Sequence, residues 1–171
     1  IIIWEKMKLE PEQKAMLNGE QGHVIARALK TLVHYGKAFG AQRLVPIKSA
    51  HLAGSFGSIS YSAYYIVLEQ FIKAGLRVKV PTTINPRPGH DLNLLNRIAF
   101  GKQNALDFKM QQLGVTPNYS CVCYEKDNVP NVGDCLAWSE SSAVQFANSV
   151  LGARTNRNSL LIDLCSAITG F

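Results

Sequence analysis

Apolar residues at Val24, Ile25, Ala28, Leu29, Leu32 and Val33 return every three or four positions, which predicts a helix with one buried face. Gly36 or Gly40 would close it. The same reading predicts helices over residues 11–17, 59–74, 99–113, 140–151 and 160–168. Gly19, Gly75, Gly114 and Gly152 stand just past four of them. Short apolar or alternating runs predict strands over residues 43–48, 76–82 and 118–124. Pro46 sits badly inside the first. Residues 84–98 read as a long loop. From residue 43 onward strand and helix alternate three times. That order predicts an α/β fold with a mostly parallel sheet flanked by helices.

In such sheets ligands gather where the carboxyl ends of the strands meet their loops. By this reading the loops begin at Lys48-Ser49-Ala50-His51, at Thr82-Thr83-Ile84-Asn85-Pro86 and at Cys121-Val122-Cys123. Each is rich in polar or reactive groups. His51 follows the Lys48-Ser49 pair and could reach the same cleft.

The stretch CLAWSESSAVQFANSVLGARTNR, residues 135–157, carries small polar chemistry at both ends of a helix. Ser139 can cap the helix, and Glu140 in its first turn suits the positive end of the dipole. Capping explains one serine and one acid, and leaves Ser141 and Ser142 over. Past Gly152, Arg154 and Arg157 offer two guanidinium forks suited to carboxylate or phosphate. A capped helix followed by a basic loop accounts for the same residues.

At 171 residues, 47% of them apolar, the chain has the size of one domain with a sizeable core. No run of 18 apolar residues is present, so no membrane span is expected. The opening Ile1-Ile2-Ile3 has no signal-peptide pattern. Four cysteines then point to free thiols or metal ligands in a reducing, cytoplasmic setting. They form no zinc pattern, and structural thiols remain a full alternative for each. The net charge is +6. Between Gln21 and His90 the single acid Glu69 faces Arg27, Lys30, Lys37, Arg43, Lys48, Lys73, Arg77, Lys79 and Arg87. This diffuse field favours a small anionic partner, although a solvated surface explains it equally well. No basic-plus-aromatic stripe is present, so nucleic acid is not expected.

The segments LVPIKSAHLAG, VPTTINP, LAWSESSAVQFANSVLGARTNR and SAITG, in that order, resemble the aconitase X family over nearly the whole chain after Pro11. The resemblance implies an aconitase-like domain: residues 1–171 would be the N-terminal portion of a large subunit, with 1–20 as a peripheral helix. It implies an iron–sulfur hydro-lyase acting on a small anionic hydroxy acid. Mevalonate 5-phosphate and cis-3-hydroxy-L-proline are the two candidates, and the basic charge tips the choice toward the phosphate. A non-catalytic anion-binding or assembly module is the alternative of another class.

By the same resemblance Cys121 would hold the cluster, of 4Fe–4S type, although Cys123 stands where the family pattern has proline. Arg154, Arg157, Ser139, Ser141 and Asn148 would position the anionic groups of the substrate. Lys48, Ser49, Thr82, Thr83 and Asn85 would complete the cleft wall. The family's remaining cluster cysteines lie past residue 171, and a small swivelling subunit or fused domain supplies a catalytic serine. The chain alone is therefore expected to be inactive.

Overall fold

The computed structural model describes residues 7–54, 61–85 and 94–171, with the backbone alone over 94–102. Among these residues four strands form one sheet in the order β2-β1-β3-β4. They are β1 Ser49–Ala53, β2 Thr82–Asn85, β3 Cys135–Trp138 and β4 Arg154–Thr155. Every pairing is parallel. The helices are α1 Pro11–Leu17, α2 His23–Ala38, α3 Tyr61–Lys73, α4 Leu94–Gln112, α5 Ser141–Phe146 and α6 Leu160–Thr169. A 3-10 turn spans Cys123–Glu125, and a π turn over Ala147–Leu151 prolongs α5. The expected α/β architecture is therefore present.

The helical readings hold because their apolar faces found a core. All six periodic residues of α2 are buried. α2 packs on α6, and α6 in turn covers β1 and β3. Leu52 and Ile84 enter this main cluster with Met16, Leu29, Leu68, Leu106, Met110 and Leu164. Ala50 and Ala137 meet Ala167 of α6 beside it. The opposite face of the sheet carries Leu136 and Trp138, which pack on Cys123, Ala143, Val144 and Ala147. The loop between α4 and β3 and the helix after β3 thus cover this second face.

The strand boundaries differ from expectation for one physical reason. Residues 43–48 and 76–80 are lead-in segments, and the N–H groups of Ile47, Val78 and Lys79 within them cap helix ends. Ile47 N–H donates to Gly170 O at 3.0 Å, Val78 N–H to Leu113 O at 2.9 Å, and Lys79 N–H to Ala167 O at 2.8 Å. Helix carbonyls without an intrahelical partner need such donors. The strands proper begin later, so Ser49 opens β1 just past Lys48, where the strand was expected to end, and Thr82–Asn85 is a strand instead of a loop.

The strand expected over residues 118–124 is absent. The chain touches β2 earlier, with Thr116 N–H donating to Thr82 O at 2.8 Å and Tyr119 N–H to Ile84 O at 3.0 Å. It then turns at Tyr119, whose φ of 50° is left-handed. The third strand is Cys135–Trp138, four residues too short to show an alternation. Of the expected loop over 84–98, residues 84–85 belong to β2 and 94–98 to α4; 86–93, with the Pro86 of the expected loop, lie outside the described residues.

Candidate functional site

Consecutive strand residues face opposite sides of a sheet. On the main-core side of β1 stand Ala50 and Leu52, and on the other stand Ser49 and His51. β2 likewise sends Ile84 to the core and Thr83 and Asn85 to the second face. A polar column results. It runs from Ser49 at the amino end, through His51 and Thr83, to Asn85 at the carboxyl end.

The turn at Tyr119 carries the chain over the carboxyl end of β2, and this places Cys121 beside Asn85. Asn85 Nδ2 donates to Cys121 Sγ at 3.0 Å and to Glu140 Oε2 at 3.0 Å. An amide nitrogen has two hydrogens, so one side chain serves both partners. Asn85 itself is 3% exposed, whereas the Cys121 thiol is open to solvent. The site therefore has a rigid buried amide holding an accessible sulfur and a half-buried carboxylate. Ser141 follows, exposed, in the first turn of α5.

β1 and β3 are neighbours, yet the chain leaves β1 toward β2 on one side and reaches β3 on the other. Such a reversal opens a crevice at the carboxyl ends of the two strands. Ser139 bridges it. Its Oγ accepts from Ala53 N–H at 2.8 Å and donates to His51 O at 3.1 Å. Ser139 is therefore a strand clamp and not the helix cap expected of it; α5 starts one residue later, with Glu140 at the N-cap position.

Beneath this end lies a buried network. Asn128 Nδ2 donates to Ala50 O at 2.8 Å and to Thr83 Oγ1 at 3.1 Å. Thr83 Oγ1 lies 2.7 Å from His51 Nδ1. Burial pushes the His51 ring down to about 4, so it stays neutral near pH 7. Its Nε2 is buried without a hydrogen-bond partner, and the ring sits edge-on to Trp138 at 6.1 Å. His51 is thus a core residue and not the cleft residue expected. Burial and, secondarily, the Glu140 charge push the Cys123 thiol up to about 12. Cys123 is 1% exposed, so the two neighbouring cysteines differ in access as well as in position.

The structure separates the residues singled out in the sequence. Asn85, Cys121, Ser139 and Ser141 gather at the carboxyl end of the sheet. Thr83 is buried below them, and Thr82 turns its hydroxyl to Val80 O at 2.9 Å. Lys48 and Ser49 lie at the opposite end, beside a cleft of about 380 Å³ formed with Pro81, Asn128, Asn131 and Asp134. The Ser49 hydroxyl accepts from Trp138 Nε1 at 3.2 Å.

Arg154 opens β4 at that same amino end, exposed, with its N–H on Asp134 O at 2.8 Å. Arg157 lines a cleft of about 560 Å³ between α2, α6 and the loop before β1, which Arg43 also lines. Asn148 spends its amide on Thr155: Nδ2 donates to Thr155 O at 2.9 Å, and Thr155 N–H donates to Oδ1 at 3.0 Å. This extends the ladder of a two-residue strand and leaves the second hydrogen of Nδ2 for another partner. Lys48, Ser49, Thr82, Thr83 and Asn85 therefore do not share one surface, because β1 starts at Ser49, where the strand was expected to have ended.

Three residues of the site region were not singled out as functional. Glu140 looked like a capping acid, and Asn128 and Asp163 were given no role. A lone acid in the apolar run LLIDLCSAITG is the signal that could have revealed the last.

Among the described residues, no group of three or more His, Cys, Asp or Glu comes together in a way that could hold a metal ion. Cys121 fits a cluster as a single donor: it is an accessible thiol that accepts an N–H···S bond, one of the features that tune such sulfur ligands.

Residues 6–171 match the model of the aconitase X first domain. The chain is 41% identical over 165 residues to the phosphomevalonate dehydratase large subunit of Thermococcus kodakarensis, covering 96% of this chain and 41% of that protein. It is 34% identical over 167 residues to the cis-3-hydroxy-L-proline dehydratase of Pseudomonas aeruginosa, covering 95% of this chain and 28% of that protein. The crystal structure of Thermococcus kodakaraensis aconitase X in its holo-form superposes with a TM-score of 0.81 at 40% identity, over 96% of this chain and 41% of that one. The chain thus spans less than half the length of the curated relatives it matches. A first-domain match along nearly its whole length, joined to the parallel sheet and helices described above, places this chain in the aconitase X family.

Proposed function

We propose that the enzyme to which this domain belongs is an iron–sulfur hydro-lyase that removes water from mevalonate 5-phosphate. The observation that carries the reading is the Cys121–Asn85–Glu140 cluster at the carboxyl end of the sheet. It lies in a chain 41% identical to a phosphomevalonate dehydratase large subunit and 34% identical to a cis-3-hydroxy-L-proline dehydratase.

In this reading Cys121 is one cluster ligand, and the others come from outside residues 1–171. When bound, the cluster supplies a Lewis acid for the departing hydroxyl. Asn85 fixes the Cys121 sulfur and orients Glu140 with its second hydrogen. Glu140 keeps Oε1 for the substrate, where it can accept a hydrogen bond or a proton. Ser141 offers a hydroxyl to an anionic group beside it. The basic region from Gln21 to His90 supplies a long-range field for a phosphate. Arg154 and Arg157 serve the substrate only if another part of the enzyme brings their clefts into contact with it. A small partner subunit and a cytoplasmic location belong to the same reading.

The test is the complete enzyme, assembled with its partner without oxygen and offered both hydroxy acids at low and high salt. Turnover of mevalonate 5-phosphate, with a preference that shrinks as salt screens the field, is the expected result. Turnover of the hydroxyproline alone would move the substrate assignment and keep the dehydratase class. A complete enzyme that binds no iron would leave a non-catalytic anion-binding module.

A further inference from the structure

Among the described residues Tyr119 is the one non-glycine residue with a positive φ, 50°. A Cβ makes this left-handed backbone costly, least for asparagine and most for β-branched residues. Asn118, just before it, adds a second cost: its Nδ2 is buried and has no hydrogen-bond partner among the described residues. A residue keeps a rare conformation only where its surroundings impose it, and such residues gather at working sites.

The surroundings of Tyr119 impose it from both sides. Ahead of the turn the chain is tied to β2: Thr116 bridges Thr83 in parallel, and Tyr119 N–H donates to Ile84 O at 3.0 Å. The Tyr119 side chain packs, half-buried, on the main core. Past the turn Val122 N–H donates to Ser120 Oγ at 3.1 Å, and Cys121 Sγ accepts from Asn85 Nδ2 at 3.0 Å. Ile84 and Asn85 are neighbours, the last two residues of β2. An extended chain advances about 3.3 Å per residue along its partner strand. Two extended steps from Tyr119 would therefore carry Cys121 past Asn85 and off the end of β2. A left-handed residue halts that advance, and Tyr119 is where the halt occurs.

We propose that Tyr119 is a positioning residue whose left-handed backbone sets the Cys121 sulfur against Asn85, in the place where it receives the cluster. The proposal rests on the reading of Cys121 as a cluster ligand. The ring pins the residue to the core, and the backbone does the placing. Replacements that lose the ring should therefore differ among themselves according to how readily they accept a positive φ.

The test compares the complete enzyme with its Tyr119→Gly, Tyr119→Asn and Tyr119→Val variants, at a temperature where each is folded. All three lose the ring, but glycine and asparagine accept the turn and valine resists it. Release of iron to a chelator should stay within about twofold of wild type in Tyr119→Gly and Tyr119→Asn, and be about tenfold faster in Tyr119→Val. Asn85→Ala alone should also speed release, and adding it to Tyr119→Val should speed release little further, because both act on one contact. In the iron-free enzyme the alkylation rate of Cys121, read on its peptide by mass spectrometry, should change at least about threefold in Tyr119→Val and stay near wild type in the other two. If Tyr119→Val does not fold, Tyr119→Ala, which accepts the turn less readily than glycine, takes its place in each comparison. Ring-loss variants that behave alike, or additive effects of Tyr119→Val and Asn85→Ala, would overturn the proposal. If the wild-type enzyme binds no iron, the cluster reading fails, and the alkylation rates still decide whether Tyr119 places Cys121.

Discussion

Asn85 Nδ2 stands 3.0 Å from the sulfur of Cys121, and its second hydrogen is committed to Glu140 at the same distance. The amide is buried and the thiol exposed, so the bond fixes an accessible sulfur from below. Every expectation for this end of the sheet follows from that arrangement.

Replacement of Cys121 by serine in the complete enzyme should remove most of the iron and the activity together. Cys123→Ser, Cys135→Ser and Cys165→Ser should each retain both, since Cys123 and Cys165 are core thiols and Cys135 lies at the amino end of β3. Iron analysis decides it. Loss of iron in Cys123→Ser with full iron in Cys121→Ser would reverse the choice of ligand.

Replacement of Asn85 by aspartate removes both donated hydrogens and sets a second carboxylate against Glu140. The lost bonds involve a charged partner and should cost roughly 1.5–3 kcal/mol, which is about a tenfold to hundredfold loss of turnover. Iron should also leave the Asn85→Asp enzyme faster on chelation. Wild-type turnover in the variant would show that Asn85 only shapes the strand end.

Asn148→Ala should behave in the opposite way. Two hydrogen bonds to Thr155 hold the short β4 against the π turn, and their loss should cost about 1–2 kcal/mol of stability. Turnover should stay near wild type at a temperature where the variant is folded. A selective rise in KM without destabilisation would assign Asn148 to the substrate instead.

Two buried groups should give stability a near-level pH dependence over part of the acid range. His51 is lowered from 6.5 to about 4, so between those values the unfolded chain binds the extra proton and acid destabilises the fold. Asp163 is raised from 3.8 to about 7, so the folded chain binds the extra proton and acid stabilises it. Each effect is on the order of 3–4 kcal/mol, and the two oppose one another from about pH 4 to 6.5. Asp163→Asn should unmask the loss of melting temperature on acidification, and His51→Gln should unmask the gain. Single variants with parallel melting profiles would show that one of the two groups does not titrate as placed.

The helices were legible because a 3.6-residue period survives in the sequence wherever one face is buried, as it does at Val24 through Val33. Strand position was less legible. Extended lead-in residues such as Val78 and Lys79 look like strand, but their N–H groups serve helix carbonyls, and only tertiary structure decides between those acceptors. Cys121 and Asn85 were readable as site residues through reactive side chains and family resemblance. Their contact was not, because it depends on a left-handed turn at Tyr119, a residue that rarely takes one. Lys48 was read at the wrong end of the sheet because β1 starts where its strand was expected to end, and Arg154 because the two-residue β4 leaves no pattern in the sequence.

Gly170 ends α6 in a left-handed conformation, φ 89°, and its carbonyl receives the N–H of Ile47 just ahead of β1. α6 also covers β1, although more than a hundred positions separate the two along the chain. The central strand therefore cannot be sealed early during synthesis. A ribosome must release the residues of α6 before β1 gains its cover, and until then the strand's apolar side stays exposed to wrong pairings. Folding of this domain should begin with the local α1–α2 pair and close only when α6 docks, which makes the interval before docking the point at which a chaperone has most to protect.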